Sequence, residues 1–191
     1  MRTEFELETK VARLGSDVVV TADAGAGGMR IEGYASLFGV ADQGGDVVAA
    51  GAYAGSLARR AGQGERVKML WQHDPAEPIG VWDEVREDAR GLYVKGRLLP
   101  DVARAREAAA LIGAGAIDGL SIGYRTVKAE KDGKGRRLLR ELELWEVSLV
   151  TFPMLPEARV GAKGGAAVEA AALRDLAEAV AAARRMMAAL R

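Results

Sequence analysis

The stretch 119–127, Gly-Leu-Ser-Ile-Gly-Tyr-Arg-Thr-Val, decides how this chain is read. Its first five residues match G-x-S-x-G, the nucleophile-elbow pattern of α/β-hydrolases. That elbow needs a strand before the serine and a helix after it. Here a helical pattern comes first: it starts after Asp101, a candidate N-cap, and stops at Gly113. Beyond Ser121, the residues Ile122, Tyr124, Thr126 and Val127 continue as a strand. The hydrolase order of serine, acid and histidine also fails, because the only histidine, His73, precedes Ser121.

Working outward, residues 3–127 consist mostly of short alternating or β-branched runs separated by glycine. The runs at 18–21 (Val-Val-Val-Thr), 29–35 (Met-Arg-Ile-Glu-Gly-Tyr-Ala), 67–71 (Val-Lys-Met-Leu-Trp), 79–82 (Ile-Gly-Val-Trp) and 91–98 (Gly-Leu-Tyr-Val-Lys-Gly-Arg-Leu) predict strands. Glycine-rich turns at 24–28, 43–46 and 131–135 join them, and such short connections favour antiparallel pairing. A further helix is predicted over residues 52–61. The body is therefore expected to be α+β, with a mainly antiparallel sheet or barrel. Residues 161–165, Gly-Ala-Lys-Gly-Gly, form a glycine joint, so the division expected is a body over 1–160 and an alanine-rich helical tail over 161–191. In that tail Leu173, Leu176, Val180, Ala183, Met187 and Leu190 recur every three or four residues, the seam of a helix that docks on its own domain or on a partner.

Composition narrows the chemistry. The 191 residues are 49% hydrophobic, enough for an ordinary core, and 27 basic residues balance 27 acidic ones. A zero net charge argues against nucleic acid as the main ligand. With no cysteine and one histidine, thiol catalysis, disulfides and a transition-metal site are not expected. No run of about 18 apolar residues is present, so neither a membrane span nor a standard signal is expected.

His73 is the first candidate for a general base near neutral pH, since imidazole alone among side chains ordinarily titrates between pH 5 and 8. Ser121 is the hydroxyl it would deprotonate. The acid candidate is Glu146, the one charge within the apolar run 144–152. On a regular strand Glu146 shares a face with Leu144 and Ser148, with Trp145 and Val147 opposite. A buried carboxylate needs a partner, and His73 or an arginine such as Arg125 would serve; a bend exposing it to water would remove the need. Asp74 follows His73 directly, but neighbouring strand residues face opposite ways, and Asp74-Pro75 is expected to make a turn. Gly119 and Gly123 would let a substrate backbone approach Ser121 closely.

Five segments carry a resemblance: 31–38 (Ile-Glu-Gly-Tyr-Ala-Ser-Leu-Phe), 45–53 (Gly-Asp-Val-Val-Ala-Ala-Gly-Ala-Tyr), 70–74 (Leu-Trp-Gln-His-Asp) with 78–80 (Pro-Ile-Gly), 119–124, and 144–153 (Leu-Trp-Glu-Val-Ser-Leu-Val-Thr-Phe-Pro). In this order the chain resembles the prohead (procapsid maturation) protease family of HK97-like tailed phages. The resemblance implies a serine endopeptidase with a herpesvirus-protease-like β-barrel surrounded by helices. It carries His73 over as general base, Ser121 as nucleophile and Glu146 as third member, although herpesvirus enzymes use a second histidine there. The implied substrates are the scaffold, or the scaffold-like segment of the major capsid protein, and the protease itself. A homodimer is suggested by the same comparison, and no cofactor is required. The implied location is the bacterial host cytoplasm, inside the assembling procapsid of a phage, a prophage or a gene transfer agent. Two rival readings are a noncatalytic assembly or scaffold protein with a protease-like body, and a cytoplasmic esterase.

Overall fold

In the strand Gly91–Leu98, Leu92, Val94 and Leu98 are buried while Arg97 faces solvent, the alternation the sequence predicts. Each such side chain contributes about 1.5–3 kcal/mol on full burial, so a one-residue slip that turned them all outward is strongly disfavoured. This computed structural model describes residues 8–12, 19–22 and 29–152. The glycine turn at 24–28, the body's boundary at residue 160 and the helical tail lie outside the described residues.

The described elements, in chain order, are β1 (Glu8–Ala12), β2 (Val19–Ala22), β3 (Met29–Leu37), β4 (Val47–Val48), α1 (Ala54–Gln63), β5 (Lys68–Trp71), β6 (Asp74–Glu87), β7 (Gly91–Leu98), α2 (Ala103–Gly113), β8 (Gly119–Lys131) and β9 (Arg137–Val150). They build one sheet in the order β1-β8-β9-β5-β6-β7-β3-β2, with β4 also paired to β9. The α+β class holds. Pairing is mainly antiparallel, as expected, with β9 running parallel to both β4 and β5, and the expected barrel is corrected to a mixed sheet curled into a half-barrel. The curl brings β3 close to β1 and β8. Helix α1 packs against β9 and β6, and α2 against β6 and β7.

The helix ends follow their own chemistry. Gly64, at φ 69°, closes α1, where its N–H and that of Glu65 cap the carbonyls of Ala61 and Arg60. Asp101 is not the cap of α2: Val102 takes that position, with no side-chain cap bond, and its carbonyl accepts from Arg106 N–H at 3.2 Å.

The irregularity that matters most lies between β8 and β9. Gly123 pairs with Glu146 and Tyr124 with Leu144, leaving Trp145 as an extra residue on β9. Such a bulge reverses the facing of everything beyond it. Leu142 and Leu144 point into the core before it, and Val147 and Leu149 do so after it. Glu146 and Ser148 therefore face away from Leu144, in company with Ser121 and Gly123. This corrects the regular-strand expectation that Glu146 and Leu144 share a face.

Helix α1 braces the bulge. The Leu144 N–H donates to the buried Ser56 Oγ at 2.9 Å, and the Leu144 carbonyl accepts from Arg60 Nε at 2.7 Å. Ser56→Ala would strand that buried N–H, which costs about 1–3 kcal/mol. Urea unfolding of Ser56→Ala is expected to show a lower midpoint at an unchanged slope, the product of shift and slope giving that loss.

Candidate active site

Parallel pairing of β5 with β9 sets Leu70 beside Ser148 and Trp71 beside Leu149. The chain then reverses in two residues, since Trp71 pairs with Asp74. Gln72 and His73 are the central pair, with φ of 52° and 63°. Positive φ at both positions is the signature of a type I′ hairpin, usually made by asparagine and glycine. Side chains with a Cβ pay about 1–3 kcal/mol each to sit there, a strain that persists only when the surroundings impose it. They do. The Gln72 N–H donates to the Leu149 carbonyl at 2.9 Å, extending the parallel ladder past β5. The Gln72 amide donates to Thr151 Oγ1 at 2.7 Å and accepts from the Thr151 N–H at 3.4 Å. The His73 N–H donates to Ser148 Oγ at 3.3 Å.

The turn thus falls two residues earlier than the expected Asp74-Pro75. Asp74 opens β6 and its carboxylate accepts from the Ala76 N–H at 2.8 Å, so it does not orient His73. Instead the imidazole swings over β9 and β8. His73 Nδ1 lies 2.6 Å from Glu146 Oε1, and His73 Nε2 lies 2.5 Å from Ser121 Oγ. The structure brings together all three residues singled out from the sequence.

Burial decides how this cluster behaves. Ser121 is 0% exposed and Glu146 4%, while the His73 side chain retains 19%. A carboxylate so deeply buried is tolerated when both oxygens are engaged. Oε1 faces His73, and Oε2 accepts a short bond from Ser148 Oγ. Arg125 is exposed and opposite Glu143 in the β8–β9 ladder, so the arginine alternative for Glu146 does not hold. An ionised carboxylate can only accept, which places the imidazole proton on Nδ1. Nε2 is then the lone-pair nitrogen and accepts from the Ser121 hydroxyl.

Gly123 makes room for the acid. Directly across the ladder from Glu146, it leaves the space into which the carboxylate folds: a Cβ there would lie 2.8 Å from both Cγ and Cδ of Glu146. Sequence reasoning placed Ser148 on the acid's face but gave it no part in the site. Two polar residues two apart in the otherwise apolar run 144–150, at 146 and 148, were the available signal.

A hydroxyl, an imidazole and a carboxylate bonded in that order on a curled α+β sheet define a serine-protease-like arrangement. The chain belongs to the caudovirus prohead serine protease family, whose sequence profile matches residues 16–171. It is 36% identical over 134 residues to the prohead protease of Enterobacteria phage HK97, an alignment spanning 69% of this chain and 58% of that protein. The chain thus spans less than two thirds of that relative's length. The solved structure of the bacteriophage T4 capsid assembly protease superposes with a TM-score of 0.63, over 77% of this chain and 98% of that one, at 16% identity. At that identity the likeness concerns the fold.

Placing a methyl group at 123 should displace the Glu146 carboxylate. Gly123→Ala is expected to lose about 1–3 kcal/mol of stability through overpacking. With 15N-labelled histidine, whose signals come from His73 alone, its spectrum should also show a mixture of imidazole tautomers where the parent protein shows the Nδ1–H form.

Proposed function

We propose that this chain is the serine endopeptidase of capsid maturation, with Ser121 as nucleophile, His73 as general base and acid, and Glu146 as the residue that orients and stabilises the imidazolium. The observation that carries this reading is the unbroken Ser121–His73–Glu146 hydrogen-bond series in a member of the prohead protease family. Ser121 Oγ attacks the scissile carbonyl while its proton passes to Nε2 of His73. The imidazolium keeps its Nδ1–H on Glu146, whose charge stabilises it without taking the proton. His73 then returns the Nε2 proton to the leaving amine, and an acyl-enzyme remains on Ser121. Water repeats the sequence: it gives its proton to Nε2, attacks the ester, and Ser121 regains a proton as the peptide acid departs.

The substrates in this reading are the scaffold or the scaffold-like segment of the major capsid protein, and the protease itself. The place of action is the interior of the assembling procapsid in the host cytoplasm. The herpesvirus-protease-like barrel and the homodimer, both implied by the sequence resemblance, belong to the same proposal.

The test is coexpression with the neighbouring major capsid protein, read by intact mass. The parent chain is expected to shorten the capsid protein, and a folded Ser121→Ala variant to leave it full length. Full-length capsid protein in both samples, in assembled shells, would instead favour the noncatalytic assembly role. Glu146→Gln keeps the shape of the site but favours the wrong imidazole tautomer, and is expected to lower kcat by about 10^3–10^4-fold.

A further inference from the structure

We propose that Ser148 is a positioning residue of this site, holding the acid and the base in register through a single hydroxyl. The proposal rests on the protease reading. Ser148 lies directly across the β8–β9 ladder from Ser121 and is fully buried. Its Oγ donates to Glu146 Oε2 and accepts from the His73 backbone N–H at 3.3 Å. One hydroxyl has one proton to give and lone pairs to receive, so both bonds are made together.

Each bond fixes a different freedom. The terminal torsion of a glutamate is broad and roughly two-fold, and a carboxylate held at one oxygen only would swing about it. With Oε2 held by Ser148, Oε1 is kept facing His73 Nδ1. The second bond tethers the backbone of His73, whose φ of 63° is among the strained positions of the chain. Acid and base are thus aligned through one atom on the strand that carries the acid. Ser148 is not a second nucleophile: His73 Nδ1 is occupied by Glu146 and Nε2 by Ser121, and the Ser148 proton is directed to a carboxylate. It acts through the Glu146 carboxylate and the His73 backbone.

Had Ser148 merely filled space in the sheet, its loss would alter stability and leave the imidazole where it is. The experiment therefore compares the parent chain with Ser148→Ala by two readouts: capsid-protein cleavage kinetics, and the 15N spectrum of the single histidine. Misplacement of a reacting group by about 1 Å can cost on the order of a hundredfold in rate. A fall in kcat of roughly that size is expected for Ser148→Ala, with KM within about twofold, and with the His73 ring shifting from one Nδ1–H tautomer to a mixture. Parent-like kcat, or a parent-like His73 spectrum accompanying a lowered kcat, would overturn the proposal. Should Ser148→Ala fail to fold, the near-isosteric Ser148→Cys, a weaker donor, is expected to show a smaller fall in kcat at the same KM; parent-like kinetics there would equally overturn it. The two readings fail separately. If the parent chain cleaves nothing, the protease reading falls, whereas the spectrum still decides whether Ser148 holds the imidazole.

Discussion

The bond between the Glu146 carboxylate and His73 Nδ1 places a charge where the interior least tolerates one. Taking a carboxylate out of water carries a penalty of several kcal/mol, which excellent geometry and full hydrogen bonding must offset. Much of the local structure around the sheet's centre provides that offset. His73 covers one oxygen and Ser148 the other, and Gly123 supplies the space in which the group lies. The Trp82 indole N–H reaches from β6 to the Val147 carbonyl at 3.1 Å, fastening the acid's neighbour in the strand.

Two departures from regular structure make the bond geometrically available. The extra residue at Trp145 turns Glu146 and Ser148 towards Ser121 and leaves the leucines before it and the apolar residues after it in the core. Without the bulge, one or other set would lie on the wrong face, since side chains alternate strictly along a strand. The positive-φ pair at Gln72 and His73 then returns the chain at the right height, where β5 has just run parallel to β9. Both departures are secured by bonds to β9 from elsewhere in the sequence: Ser56 and Arg60 from α1 on the bulge, and Gln72 with Leu149 and Thr151 on the turn. Strain at the site is thus held largely by bonds from the scaffold, with Ser148 adding one to the His73 backbone.

How much of this was legible in the chain follows from which signals are local. Strands β3 and β7 could be read because alternation reflects a burial pattern that each segment carries alone, whereas β5 and residues 79–82 of β6 were legible only as short apolar runs. His73 stood out as the only histidine, and Glu146 as the one charge in the apolar run 144–152. The turn at Gln72 and His73 was hidden, because neither residue is one that turns usually require, and long-range bonds hold them there. The bulge was hidden for a related reason: Leu144 and Glu146 have the same phase in sequence, and only the pairing with Gly123 and Tyr124 shows that a residue has been skipped. Parallel pairing of β5 with β9 joins segments more than seventy residues apart, which no window along the chain can detect.

The central claim is that the carboxylate and imidazole activate one hydroxyl, that of Ser121. The most direct measurement is covalent labelling by a fluorophosphonate, which transfers its phosphorus to an activated serine oxygen with loss of fluoride, followed by peptide mapping of the adduct. The account predicts a single adduct on Ser121 in the parent chain, and formation of that adduct at least about a hundredfold more slowly in His73→Ala, the scale of lost general-base assistance. An adduct on another serine, or equal labelling rates with and without the imidazole, would contradict it.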